Sequence, residues 1–143
     1  MTKFQKFEDI HAWQLAREIA MDIWTLIETT PLKEDFALRN QINRSSGSIM
    51  DNIAEGAERN GNREFVQFLS IAKASCGEVR SQLYRAFDRK HITEEQLNSL
   101  LEKTVFEGKK LGALISYLNK SDQKGSKFTQ PVTRNPQPVT RNP

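Results

Sequence analysis

A chain of 143 residues is long enough for one domain with a real core, and 37% hydrophobic with 27% charged content fits a charged helical protein. No run approaches the roughly 18 apolar residues that span a bilayer, the N-terminal MTKFQKFEDIHAW lacks the apolar stretch of a secretion signal, and the single Cys76 makes no intrachain disulfide; a cytoplasmic protein without a membrane partner is expected. The net charge of +3 is uneven: residues 1–119 hold 16 Lys and Arg against 17 Asp and Glu, and residues 120–143 hold five basic side chains against one acidic, so net charge gives the folded part no bias toward nucleic acid.

The first helix is expected from about Asp9, a candidate N-cap, to about Thr29. Its apolar stripe is Ile10, Trp13, Ala16, Ala20, Ile23 and Ile27, at spacings of three and four. Pro31 marks a stop. The second helix starts between Lys33 and Phe36 and reaches about Glu58, with Leu38, Ile42, Ile49, Ile53 and Ala57 along one side. RNGN, Arg59 to Asn62, reads as a short turn in which Gly61 takes positive φ and Asn62 caps the next helix.

That third helix runs to about Asp88 and presents Phe65, Phe68, Leu69, Ala72, Cys76, Val79, Leu83 and Ala86/Phe87. TEEQ then sets Thr93 three residues before Gln96, the spacing of a capping box. The fourth helix carries Leu97, Leu101, Thr104, Gly108, Leu111, Ile115 and Leu118. Helices joined by short connections predict an all-α fold, an antiparallel up-down-up-down four-helix bundle over residues 1–120. Residues 121–143 read as a disordered, weakly basic, proline-rich tail in which QPVTRNP occurs twice in tandem.

The second helix also carries a polar stripe: Gln41, Arg44, Ser48, Asn52, Glu55 and Arg59. Around it, Ser45, Ser46, Gly47 and Ser48 are poor helix formers where Ala, Lys or Glu would stabilise. Small side chains let another backbone approach. Ser45, Gly47, Ser48, Asn52, Glu55 and Gly56 are therefore candidates for polar packing inside the bundle or between subunits, with a plain solvated face and a ligand site as alternatives. Gly108 and Gly112, four apart on the last helix, are candidates for another close approach; tolerated weak spots are the alternative. Leu15, Ile19, Trp24, Val66 and Ile71 lie off the seams and are expected at subunit contacts.

Chemistry is poorly provided for. His11, His91 and Cys76 are the only soft metal ligands, and no two have zinc-site spacing. Cys76 sits on an apolar stripe, SSGS follows no strand and so forms no phosphate loop, and Asp51 with Glu55 has no visible cleft. No catalytic residue, metal, cofactor or small-molecule substrate is expected. For a nucleic-acid or protein partner the candidate cations are Arg39, Arg44, Arg59, Arg63, Lys73 and Arg80, with Arg85, Arg89 and Lys90 further along, interleaved with Glu55, Glu58 and Glu64.

AWQLAREIAMDIW, FALRNQINRSSGSIMDNIAEGAERN, REFVQFLSIAKASCGEV and ITEEQL follow one another in this chain. Together they resemble the bacterial four-helix-bundle proteins encoded in intervening sequences of 23S ribosomal RNA genes, once labelled ribosomal proteins. The resemblance covers roughly residues 5–119, and its most specific parts are SIMDNIAEG, Ser48 to Gly56, and EFVQFLSIAKAS, Glu64 to Ser75. It implies a homo-pentamer with a central channel. It also implies an architecture similar to the accessory proteins of diversity-generating retroelements, which bind a reverse transcriptase and its RNA. Those proteins present a strongly basic surface, from which residues 1–119 depart. Two expectations follow: a non-enzymatic homo-oligomeric scaffold associated with structured RNA or an RNA-handling protein, or a protein-interaction module that never meets nucleic acid.

Overall fold

The structure is a computed structural model and describes residues 6–128. It is an all-α bundle of four helices: α1 His11–Thr29, α2 Phe36–Ala57, α3 Asn62–Asp88 and α4 Glu94–Phe128. The cross-helix contacts fix the directions. Along the α2–α3 seam Asp35 meets Arg89, Gln41 meets Arg85, Ser45 meets Glu78 and Ser48 meets Ser75, so one number rises as the other falls. The same antiparallel order joins α3 to α4, through Lys73 beside Gly112 and Cys76 bonded to Thr104. Lys103 on α4 closes the circle by gripping Glu18 and Asp22 on α1, at 3.1 and 2.6 Å.

Three helix boundaries differ from the sequence reading. Asp9 does not cap α1: it lies in a 3-10 turn, Phe7–Asp9, and Ile10 is the N-cap without a side-chain hydrogen bond. Packing does what capping would have done there, because Phe7 sets its ring edge-on to Trp13 at 5.2 Å. Asn62 likewise is the first residue of α3, and Gly61, with φ of 96°, is its N-cap. A glycine there meets no Cβ penalty for the positive φ. Finally, α4 runs on to Phe128, past the boundary expected at 120. The tandem QPVTRNP lies outside the described residues.

The remaining ends follow the chemistry of their residues. Thr30 Oγ1 donates to the carbonyl of Leu26, 2.6 Å, and accepts from the amide of Leu32, 3.2 Å, so one hydroxyl ends α1 and opens the Pro31–Glu34 turn. Thr93 and Gln96 form the expected capping box, with reciprocal bonds of 2.8 and 3.1 Å. At the end of α3, Lys90 takes φ of 63°, and the amides of Lys90 and His91 reach back to the carbonyls of Phe87 and Ala86. This Schellman geometry ends the helix and turns His91 inward.

His91 thereby reaches Asp35. The Asp35 carboxylate accepts the Leu38 amide through Oδ1 at 3.4 Å, capping α2, while Oδ2 meets Arg89 Nη1 at 2.8 Å and His91 Nε2 at 2.9 Å. The hydrogen bonds from His91 and then Arg89 hold its carboxyl at about 2. One carboxylate thus ties the start of α2 to the α3–α4 turn.

The core is the set of facing stripes: Ile19, Ile23 and Ile27 from α1, Leu38, Ile42, Ile49 and Ile53 from α2, Leu69, Cys76, Val79 and Leu83 from α3, and Leu97, Leu100 and Leu111 from α4. Ile19 is fully buried within the chain, which corrects its assignment to a subunit contact: α1 offers a stripe wide enough to face both α2 and α4. Leu15 and Val66 also pack partly against this core, whereas Trp24 and Ile71 stay exposed.

The Asp35 junction sets a pH dependence. Its folded carboxyl lies below the ordinary value near 3.8, so its contribution is complete above that pH and is lost as pH falls through about 2. Asp35→Asn keeps a capping side chain but removes the charge, and is expected to cost about 1–2 kcal/mol at neutral pH. Urea unfolding of both proteins should show that difference shrinking between about pH 4 and pH 2.

Candidate functional site

The small-polar segment of α2 faces α3. Ser45 and Ser46 are buried, and Ser48 and Asn52 are half-buried. Ser75 on α3 donates to Ser48 Oγ at 2.9 Å, Asn52 Nδ2 donates to the Ser48 carbonyl and hydroxyl at 2.8 and 2.9 Å, and Ser45 Oγ lies 3.4 Å from Glu78 Oε1. Ser46 turns back to the Asn43 carbonyl in its own helix. A hydroxyl sits one bond beyond Cβ, so two serines on different helices bond only where the backbones run close. The poor helix formers on this face are where α2 accepts α3.

The glycines divide sharply. A Cβ on Gly56 would lie 2.8 Å from Phe68 Cβ, 2.9 Å from Phe65 Cδ1 and 3.3 Å from the Phe65 carbonyl, so only hydrogen fits where α3 begins its return. Gly47 and Gly108 face open space within this chain, and Gly112 meets only Lys73 Cε at 3.7 Å. A Cβ at any of the three would therefore meet no clash within this chain, although Gly108 and Gly112 both lie against α3, beside Cys76 and Lys73. Glu55, also expected in packing, is exposed and pairs with Arg59 at 2.9 Å.

The six candidate cations do not form one patch. Arg39 lies near the start of α2 and Arg59 just past its end, twenty residues apart and roughly 30 Å along its axis. Both are engaged: Arg39 stacks on Phe36 at 4.8 Å and donates to the Lys33 carbonyl, while Arg59 stacks on Phe68 at 4.9 Å and holds Glu55. Arg85 and Arg89 are likewise spent on Gln41 and Asp35. Arg44, Arg63, Lys73 and Arg80 have no hydrogen bond or ion pair to any described residue. Lys73 and Arg80, two turns apart on α3, share a side and flank Cys76.

Two features were missed in the sequence reading. The Asp35–Arg89–His91 junction joins residues far apart in the chain, which no local pattern announces. The other is Glu107, which lies on the buried stripe of α4 with no exposed surface and with neither carboxyl oxygen hydrogen-bonded. Burial pushes its carboxyl up to about 8, only partly offset by Lys110. Its signal was available, since Leu97, Leu100, Thr104, Glu107 and Leu111 alternate at three and four. Cys76 is buried beside it and donates to the Thr104 carbonyl at 3.1 Å; burial foremost, with Glu107 next, pushes its thiol to about 11, which removes the thiolate that a nucleophile needs.

Among the described residues no group of three or more His, Cys, Asp or Glu side chains could hold a metal ion, and no helix is long and apolar enough to cross a membrane.

The family described as 23S rRNA-intervening sequence protein matches residues 8–113. Among solved structures, the chain is similar to a protein of unknown function from the S23 ribosomal protein family of Bacteroides thetaiotaomicron VPI-5482, at 25% identity and a TM-score of 0.69, over 73% of this chain and 95% of that one. No curated protein matches the chain.

The glycine geometry separates two substitutions of the same kind. Gly56→Ala drives a methyl into Phe68 and the α3 backbone and is expected to destabilise by about 1–3 kcal/mol. Gly47→Ala meets nothing and should stabilise by up to about 1 kcal/mol through helix propensity. Thermal or urea unfolding of the two variants checks both signs.

Proposed function

The chain belongs to the 23S rRNA-intervening sequence protein family, and from that premise we propose that it is a non-enzymatic, homo-oligomeric helical scaffold associated with RNA in the cytoplasm. The observation that carries the reading is apolar surface left over after the core is filled. Met21 and Trp24 on α1 and Val105 and Phe106 on α4 stay exposed, with Met21 at 58% and Phe106 at 53%. Single exposed apolar side chains are ordinary; several large ones left on two helices that pack together favour covering by another copy. A ring of five is what the family resemblance implies.

The RNA half rests on the family's own description and on four cations, Arg44, Arg63, Lys73 and Arg80, that no carboxylate holds. Repetition around a ring multiplies a modest patch, so affinity can rise without strong charge on each subunit. A second reading is favoured by one observation: residues 1–119 carry a balance of −1. On that reading the scaffold binds another polypeptide and no nucleic acid.

Light scattering of the full chain is expected to give a mass several times 16.4 kDa, falling to the monomer when Met21 and Phe106 are both replaced by Glu. A wild-type monomer removes the assembly. Filter binding with structured 23S fragments should show affinity that weakens with salt and drops several-fold in an Arg63→Gln/Arg80→Gln double variant. Absence of salt-sensitive binding at low ionic strength would leave the protein-interaction reading.

A further inference from the structure

Glu107 is a carboxyl buried without a hydrogen-bond partner among the described residues, at the α3–α4 seam. Its carboxyl oxygens have no donor, and the side chain has no exposed surface. An ionised carboxylate in such a place has lost water and gained nothing in return. The groups around it offer no charge to pair with. On α4, Lys110 acts on it from one turn away, but that ammonium lies over the Phe106 ring at 4.8 Å. Lys103, one turn the other way, is held by Glu18 and Asp22 of α1. From α3 the facing group is the Cys76 thiol, itself flanked by Lys73 and Arg80, and no charged group of α1 or α2 acts on Glu107.

We propose that Glu107 is a proton-controlled latch on the α3–α4 seam: while it keeps its proton α4 stays closed on α3, and release of that proton to solvent favours an open state in which the carboxylate reaches water and Cys76 is uncovered. Three placements support it. Glu107 sits between Thr104 and Leu111 in the middle of the seam, so it cannot reach water without moving α4. The neighbouring cross-helix bond runs from Cys76 to the Thr104 carbonyl and is broken by the same movement. And α4 is the last helix described, joined to the rest of the bundle by α3 and, less extensively, by α1.

The sign is set by linkage. The closed state binds the Glu107 proton up to about pH 8, the open state only to the ordinary value near 4.5. Opening therefore grows as pH rises between those values, by at most about tenfold per pH unit for one proton, and levels off above the higher one. Neutral pH falls inside the window.

Cys76 is the chain's single cysteine, so an alkylating reagent reports the opening directly. Labelling of the full chain by iodoacetamide, at about pH 6, 7 and 8, is divided at each pH by the rate for the urea-unfolded chain, which removes the titration of the thiol itself. The normalised rate is expected to rise at least about tenfold across the range in the natural protein and to stay within about twofold in Glu107→Gln. A natural protein whose normalised rate changes less than about threefold overturns the proposal, as does a Glu107→Gln variant that rises as steeply. Should that variant fail to fold, the infrared carbonyl band of a protonated carboxylic acid in the natural protein decides. Its presence near pH 6.5 and loss by about pH 10 supports the latch, and its absence near pH 6.5 overturns it.

Discussion

Two serine hydroxyls on different helices meet at 2.9 Å only where the backbones run close, and Ser48 and Ser75 meet in this way midway along α2 and α3. That closeness is continued at Gly56, where a methyl group would collide with Phe68. With α2 and α3 drawn together, Ile42, Ile49 and Ile53 join Leu69, Val79 and Leu83 in one core, and α1 and α4 are left to cover the other sides. The seam is held by small side chains and hydrogen bonds because larger apolar ones would push the axes apart. The cost is in helix propensity, since serine, asparagine and glycine each weaken α2 as an isolated helix. Tertiary packing offsets it.

Charge is used at the edges of this arrangement. Asp35 caps α2 and receives Arg89 and His91 from the far turn, so the bundle's end is fastened by one side chain acting in three directions. Lys103 does similar work between α4 and α1. Most arginines that a sequence reader would offer to a nucleic acid are occupied by such contacts or by aromatic rings, which is why a count of basic residues overstates the surface open to phosphate. Glu107 is the exception, a carboxyl inside the seam with no partner.

The four helices and their order were legible because apolar residues recur at three and four over long stretches and the breaks carry Pro31, Gly61 and the Thr93–Gln96 box. SIMDNIAEG was legible as a family signature, and its physical meaning becomes clear with Gly56 against Phe65 and Phe68. What escaped were facts that depend on two distant segments. Spacing alone cannot say that Asp35 meets His91. Nor does it distinguish Gly56 from Gly47, since both sit on one helix and only the path of α3 separates them. Ile19 falls outside a single three-and-four stripe but inside the wider buried face of a helix with two neighbours. Glu107 was passed over because its charge hid a position that the spacing had already marked.

The turn at Arg59–Asn62 has a consequence for how the chain finds its fold. Only a few residues separate α2 from α3, so closing that hairpin loses little chain entropy, and its contacts pair residues near each other in sequence. The Ser48–Ser75 and Cys76–Thr104 bonds both join helices that are neighbours in sequence, whereas the Lys103 contact to Glu18 and Asp22 joins the first helix to the last. Of the side-chain contacts that tie the bundle together, it is this last one that closes the longest loop of chain and so loses the most chain entropy on forming.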